Sequence, residues 1–137
     1  MPTRLEIVTV ERLLFEDDVD MVVAPGSEGV LGILPNHAPL LTTLTHGELV
    51  VRKSGEPEQL FAISGGYMDV QPSKVTVLAD VAERADEINV ERAVEARDRA
   101  NREISEGSLS PDDLIRAEAA LRRALLRLKI AEKRRSH

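Results

Sequence analysis

The side chains that can do chemistry in this sequence are mostly arginines on helical spacing. Arg92 and Arg99 lie seven residues apart, so they share one stripe of a helix. Arg116 and Arg123 repeat that spacing, and Arg127 lies one turn beyond Arg123. A guanidinium is a planar fork that grips a phosphate through two parallel hydrogen bonds. Two such stripes on neighbouring helices can converge on one anion. The same arginines can equally be surface charges paired along the helix, as Glu95 with Arg99. Spacing alone leaves both readings open.

Nothing else has the spacing of an active site. The three histidines are His37, His46 and His137, with no metal-ligand arrangement around them. No serine sits in a G-x-S-x-G context. Ser64-Gly65-Gly66 lacks the lysine and spacing of a phosphate loop and reads as a strand-edge turn needing positive φ. His37, in "PNHAP", reads as a turn residue. The acidic run "FEDDVD" at 15–20 lacks the D-x-D-x-D-G spacing of a calcium loop and reads as a solvated strand connection. With no cysteine, disulfides, thiolate zinc sites and a catalytic thiol are excluded.

The elements that must position these residues fall into two styles. Up to about residue 82, runs rich in Val, Ile, Leu and Thr are punctuated by seven of the eight glycines and six of the seven prolines. Strands are predicted at about 4–10, 13–16, 19–24, 28–33, 39–43, 47–53, 58–63, 66–70 and 74–80, in an antiparallel sandwich or barrel. Ser54-Gly55 and "PSK" at 72–74 mark turns. Two Phe, one Tyr and no Trp make the expected core aliphatic.

Beyond residue 82 the pattern predicts two helices, at about 90–105 and 111–133. Asn89 and Ser110 stand at N-cap positions, with Pro111 at the first helical position and Asp112 and Asp113 following. Leu114, Leu121 and Leu128 form a heptad with Ala117, Ala124 and Ala131 between them, which favours an antiparallel hairpin.

Charge divides along the same line. The net charge is −6, yet residues 122–135 carry seven basic side chains against one acidic. A basic end on an acidic protein points to an acidic partner or an anion, or is simply a solvated face. Nucleic acid is disfavoured by the overall acidity and the lack of stacking aromatics. No apolar run approaches the ~18 residues of a membrane span, and the N-terminus lacks a secretory signal. The chain therefore reads as soluble and cytosol-facing.

One stretch stands apart. "GVLGILPNHAPL", 29–40, has no charged residue in a chain that is 31% charged. It can be a buried strand, a turn, or a surface kept apolar for a partner. Taken with S-G-G at 64–66, "AERADEINVERA" and the "RAEAALRRALLRLKIAE" helix, it carries a specific likeness. Over residues 3–133 the chain resembles the epsilon subunit of bacterial F-type ATP synthase.

The resemblance implies a β-sandwich of about ten strands (1–84) that binds the gamma subunit and the c-ring. A two-helix hairpin (85–137) would extend toward the alpha and beta subunits and inhibit ATP hydrolysis. It implies a non-catalytic rotor subunit of the central stalk. That subunit would be peripheral on the cytoplasmic face of the bacterial plasma membrane, with no direct membrane insertion. Val30, Pro35, Asn36 and His37 become candidate rotor contacts. Arg122, Arg123, Arg127, Lys129, Lys133, Arg134 and Arg135 become an inhibitory basic helix facing acidic beta-subunit segments.

Some members of that family bind ATP through an Ile/Leu-Asp-x-x-Arg-Ala motif. Here Ile88, Arg92 and Ala93 match it, and Asn89 replaces the aspartate. Glu83, Arg99, Arg123 and Arg127 match the family's other nucleotide contacts. ATP would then be a regulatory ligand, with no cofactor required. A nucleotide-sensing module whose main role is ATP binding is the alternative reading.

Overall fold

The computed structural model describes residues 2–135, except for the side chain of Arg135. The chain divides into two compact units, with the boundary between Ala85 and Asp86. The first unit contains β1 (Thr3–Val8), β2 (Leu13–Val19), β3 (Met21–Gly26), β4 (Gly29–Ile33), β5 (Leu40–Leu44), β6 (Gly47–Arg52), β7 (Gln59–Val70) and β8 (Lys74–Arg84). A short 3-10 turn, Ala85–Glu87, precedes α1 (Val90–Glu106) and α2 (Pro111–Arg135).

The strands pair in the order β2-β1-β8-β7-β5-β3-β4, and β6 pairs with both β3 and β7. β3, β5, β7 and β6 thus close on one another. All pairings are antiparallel except that of β1 with β8. Alternation puts Leu5, Ile7, Val75 and Val77 inside, with Val22, Ile33, Leu49 and Val51 from the other strands. The core is not purely aliphatic: Phe15, Phe61 and Met68 are buried in it. The two rings meet edge to face at 5.5 Å, a favourable aromatic geometry.

Eight strands stand among the described residues, where about ten were expected. The main reason is a bend. Ser64-Gly65-Gly66 is not a strand-edge turn; it lies inside the twelve-residue β7. Before it, Phe61 and Ile63 face inward; after it, Met68 and Val70 do. The inward side therefore switches from odd to even positions. β8 switches opposite this point, from Val77 and Ala79 to Ala82. Gly65 (φ 74°) and Gly66 (φ 123°) supply backbone angles that side-chain-bearing residues rarely adopt. Two expected strands are thereby one bent strand.

The acidic run also falls differently from expectation. Glu16, Asp17 and Asp18 lie on β2, opposite Glu6, Leu5 and Arg4 of β1. Arg4 pairs with Glu16 at 3.4 Å and Asp18 at 3.3 Å, and Lys53 with Asp17 at 3.0 Å. These carboxylates are answered by the protein's own cations. No metal-binding group of side chains occurs among the described residues.

The second unit follows the local signals. Asn89 caps α1, its side-chain oxygen accepting from the Arg92 backbone N–H at 3.1 Å. Gly107 ends α1 in the left-handed conformation, its N–H donating to the Ile104 carbonyl. The Ser110 hydroxyl accepts from the Asp113 backbone N–H at 3.2 Å, and Pro111 opens α2. α1 packs against α2. Ala93, Ala100, Ala117, Ala124 and Ala131 are buried, while Leu114, Leu121 and Leu128 are half-buried. Buried alanines let helix backbones approach closely, and Ile130 of α2 is also fully buried.

Candidate functional site

The first candidate surface is the charge-free stretch. Its first half is β4, an edge strand pairing only with β3, through Val23↔Gly32 and Pro25↔Val30. A Cβ at Gly32 would sit 2.9 Å from Cε of Met21, a flexible side-chain end that could move aside. Ile33 is buried in the core, and Leu31 of the same strand packs against it half-buried. Val30 is 74% exposed and Leu34 57%. Two large apolar side chains thus stand in solvent at an edge.

"PNHAP" then turns the chain toward β5. Asn36 adopts φ 65° and donates its backbone N–H to the Pro72 carbonyl at 2.9 Å. Asparagine tolerates the left-handed region better than most residues. His37 Nδ1 lies 2.7 Å from the Ala38 carbonyl. A carbonyl only accepts, so Nδ1 is the donor in this bond. Pro35 and His37 are half-buried, and Asn36 is exposed. The turn is tied to Pro72 by one backbone bond and carries one side-chain bond of its own, and it presents polar and apolar groups together.

The second candidate surface is the hairpin. Arg92 and Arg99 are exposed on α1, as are Arg122, Arg123, Lys129 and Arg134 on α2; Arg127 and Lys133 are half-buried. The described basic residues are therefore spread along both helices, most of them in water. The Arg135 side chain and His137 lie outside the described residues. Asn89 and Ala93 have structural tasks already, as cap and as buried seam residue. Ile88 is buried. Glu83 is half-buried on β8, opposite Ala62 of β7.

One residue at the end of the sandwich had no signal in the sequence. Arg84 donates from Nη2 to the Leu14 carbonyl at 2.6 Å. Its guanidinium lies 5.7 Å from the centroids of both Phe15 and Phe61. Only the pairing of strands distant in sequence brings these groups together.

Fold and surfaces define a two-part protein, a small sandwich with exposed apolar side chains at one edge followed by a helical pair whose C-terminal end is basic. Comparison with known proteins places it more closely. The model of the ATP synthase delta/epsilon chain β-sandwich domain matches residues 2–85, and that of its long alpha-helix domain matches 86–132. The chain belongs to the ATP synthase delta/epsilon chain family.

Its similar relatives are named ATP synthase epsilon chain. That of Dehalococcoides mccartyi is 51% identical over 134 residues, covering 98% of this chain and 95% of the relative. That of Herpetosiphon aurantiacus is 54% identical over 136 residues, covering 99% and 98%. Among solved structures, a chain of the Euglena gracilis mitochondrial ATP synthase superposes with a TM-score of 0.79 at 22% identity, covering 99% of this chain and 82% of that one. A chain of the Tetrahymena thermophila enzyme's central stalk and c-ring gives 0.61 at 14%, covering 96% and 97%. At such identities these two speak for the fold alone.

Proposed function

We propose that this chain is a non-catalytic rotor subunit of a proton-translocating ATP synthase. In this reading the sandwich joins the gamma subunit to the c-ring in the central stalk, with Val30, Pro35, Asn36 and His37 among its contacts. The carrying observation is that both family domains occur in order over 2–132, with relatives more than 50% identical across nearly their whole length. The complex would lie on the cytoplasmic face of the plasma membrane. No helix among the described residues is long and apolar enough to cross a membrane, which is compatible with peripheral attachment.

The hairpin is the regulatory part. Its buried seam is mostly alanine, so the two helices are held modestly and can reach another partner at small cost. The basic residues of α2 from Arg122 to Arg135 suit acidic segments of the beta subunit, an attraction that weakens with salt. Deleting residues 88–137 should raise ATP hydrolysis by the assembled complex and leave assembly intact. Unchanged hydrolysis would refute the regulatory half of the reading.

ATP is the proposed regulatory ligand of the hairpin, through Glu83, Ile88, Asn89, Arg92, Ala93, Arg99, Arg123 and Arg127. What favours a nucleotide role is the exposure of Arg92, Arg99 and Arg123, whose forks suit phosphate. Calorimetric titration of the isolated protein tests it. Saturable heat that disappears in Arg92→Ala supports ATP sensing, and no heat at millimolar ATP overturns it.

A further inference from the structure

Arg84 is the last residue of β8, and the two units divide one residue later, between Ala85 and Asp86. Its side chain ties three strands at that point. The register sets it opposite Phe61 of β7. Its guanidinium lies 5.7 Å from the Phe61 ring centroid and 5.7 Å from that of Phe15, on β2. Its Nη2 donates to the Leu14 carbonyl, also on β2, at 2.6 Å. Arginine suits this place because a planar cation can lie against aromatic rings and still donate in its own plane.

The next fixed point along the chain is Asn89. Its cap on the Arg92 N–H, with the Ala93 N–H donating to its carbonyl, commits everything from 90 onward to α1. Residues 85–88 alone lie between these two anchors. They comprise the short 3-10 turn and Ile88.

We propose that Arg84 is a latch that ends the sandwich and confines any reorientation of the hairpin to the backbone of residues 85–88. The proposal rests on the regulatory reading of the hairpin. A rigid-body change of a helical unit needs a few residues at an element's end to absorb its φ and ψ changes. Without the latch, the end of β8 would peel from the sheet and lengthen the flexible link. A longer link lowers the effective concentration with which the helices meet a partner at a set distance. Arg84 is thus a positioning residue: it sets where movement starts.

The test uses the full-length protein, followed by amide exchange, and the assembled complex, followed by its hydrolysis rate. In the native chain, protection should fall sharply between 84 and 85, with 81–84 exchanging like the strands. In Arg84→Ala, exchange at 81–84 should rise by about tenfold or more, with β1, β3 and the helices unchanged. Inhibition of hydrolysis should weaken in parallel, and Arg84→Lys, which keeps the cation, should restore it at least in part.

If Arg84→Ala does not fold, Phe15→Leu removes one ring and keeps apolar bulk, and the same step should move. An unmoved step in the folded variant overturns the latch. A moved step with undiminished inhibition, where deletion of 88–137 does relieve it, overturns its part in regulation. If that deletion changes nothing, the regulatory reading has failed, and exchange at 81–84 alone decides whether Arg84 is a latch.

Discussion

Gly66 and Leu78 approach so closely that a Cβ on Gly66 would lie 2.1 Å from the Leu78 carbonyl oxygen. The next atom, Cα of Ala79, would be 2.8 Å away. Both are backbone atoms of the paired strand β8, so neither can rotate aside. The bend that carries β7 and β8 round the core depends on this contact.

Gly66→Ala should therefore destabilise the sandwich by more than about 3 kcal/mol, from the clash and the positive φ together. Gly55→Ala is the control. Gly55 also has a positive φ, 79°, but a Cβ there meets nothing within 4 Å. Its cost should stay near the ~1–2 kcal/mol of left-handed strain alone. Chemical denaturation of the two variants checks the difference, and equal losses would count against the bend.

Asn89 separates a structural role from a ligand role. Asn89→Ala removes the cap on the Arg92 N–H and should cost about 1 kcal/mol of helix stability, read by thermal melting of the far-ultraviolet signal. Asn89→Asp keeps the cap and restores the carboxylate of the nucleotide motif. It should leave the melting curve nearly unchanged while raising ATP affinity in calorimetry. Equal affinity in the native chain and Asn89→Asp would show that this carboxylate plays no part.

Val30 tests the edge. At 74% exposure, Val30→Glu should change the stability of the isolated protein by no more than about 0.5 kcal/mol. It should weaken association with gamma and the c-ring by about tenfold or more, because a charge would be desolvated at the contact. Asn36→Asp offers a second charge in a residue type that also tolerates φ 65°. Loss of the fold in either variant would mark the stretch as core; native association would remove it from the interface.

The Asp17–Lys53 pair fixes a pH dependence. The bond from Lys53 holds the Asp17 carboxyl below its ordinary value of 3.8, helped by the Asp18 backbone N–H. The same bond raises Lys53 above its ordinary 10.5. The carboxylate's contribution is present above its unfolded value and lost as pH falls through the lowered folded one. The lysine's is present below its unfolded value and lost as pH rises through the raised folded one. Lys53→Met should flatten the acid limb of stability against pH, an effect that shrinks with salt because the pair is only half-buried. An unchanged acid limb at low salt would show that the pair contributes nothing.

The helical unit was almost wholly legible in the sequence, since its signals are local. Asn89, Ser110, Pro111 and Gly107 act on backbone groups within four residues of themselves, so their types and spacing determine where helices start and stop. The family-bearing stretches were equally readable: "GVLGIL" is the edge strand, and "PNHAP" is the turn. The sandwich was legible as a class, through alternation and turns, but not in its count or its corners.

What the tertiary structure decided depends on partners far away in sequence. Gly65-Gly66 reads as a turn until Leu78 and Ala79 are laid against it. The acidic run reads as a solvated connection until β1 brings Arg4 and β6 leads into Lys53. Arg84 reads as one more surface charge until β2 and β7 place Leu14, Phe15 and Phe61 around it. Caps and turns are set by bonds between near neighbours. Bends, charge partners and the Arg84 latch are set by strand register, which exists only once the sheet has closed.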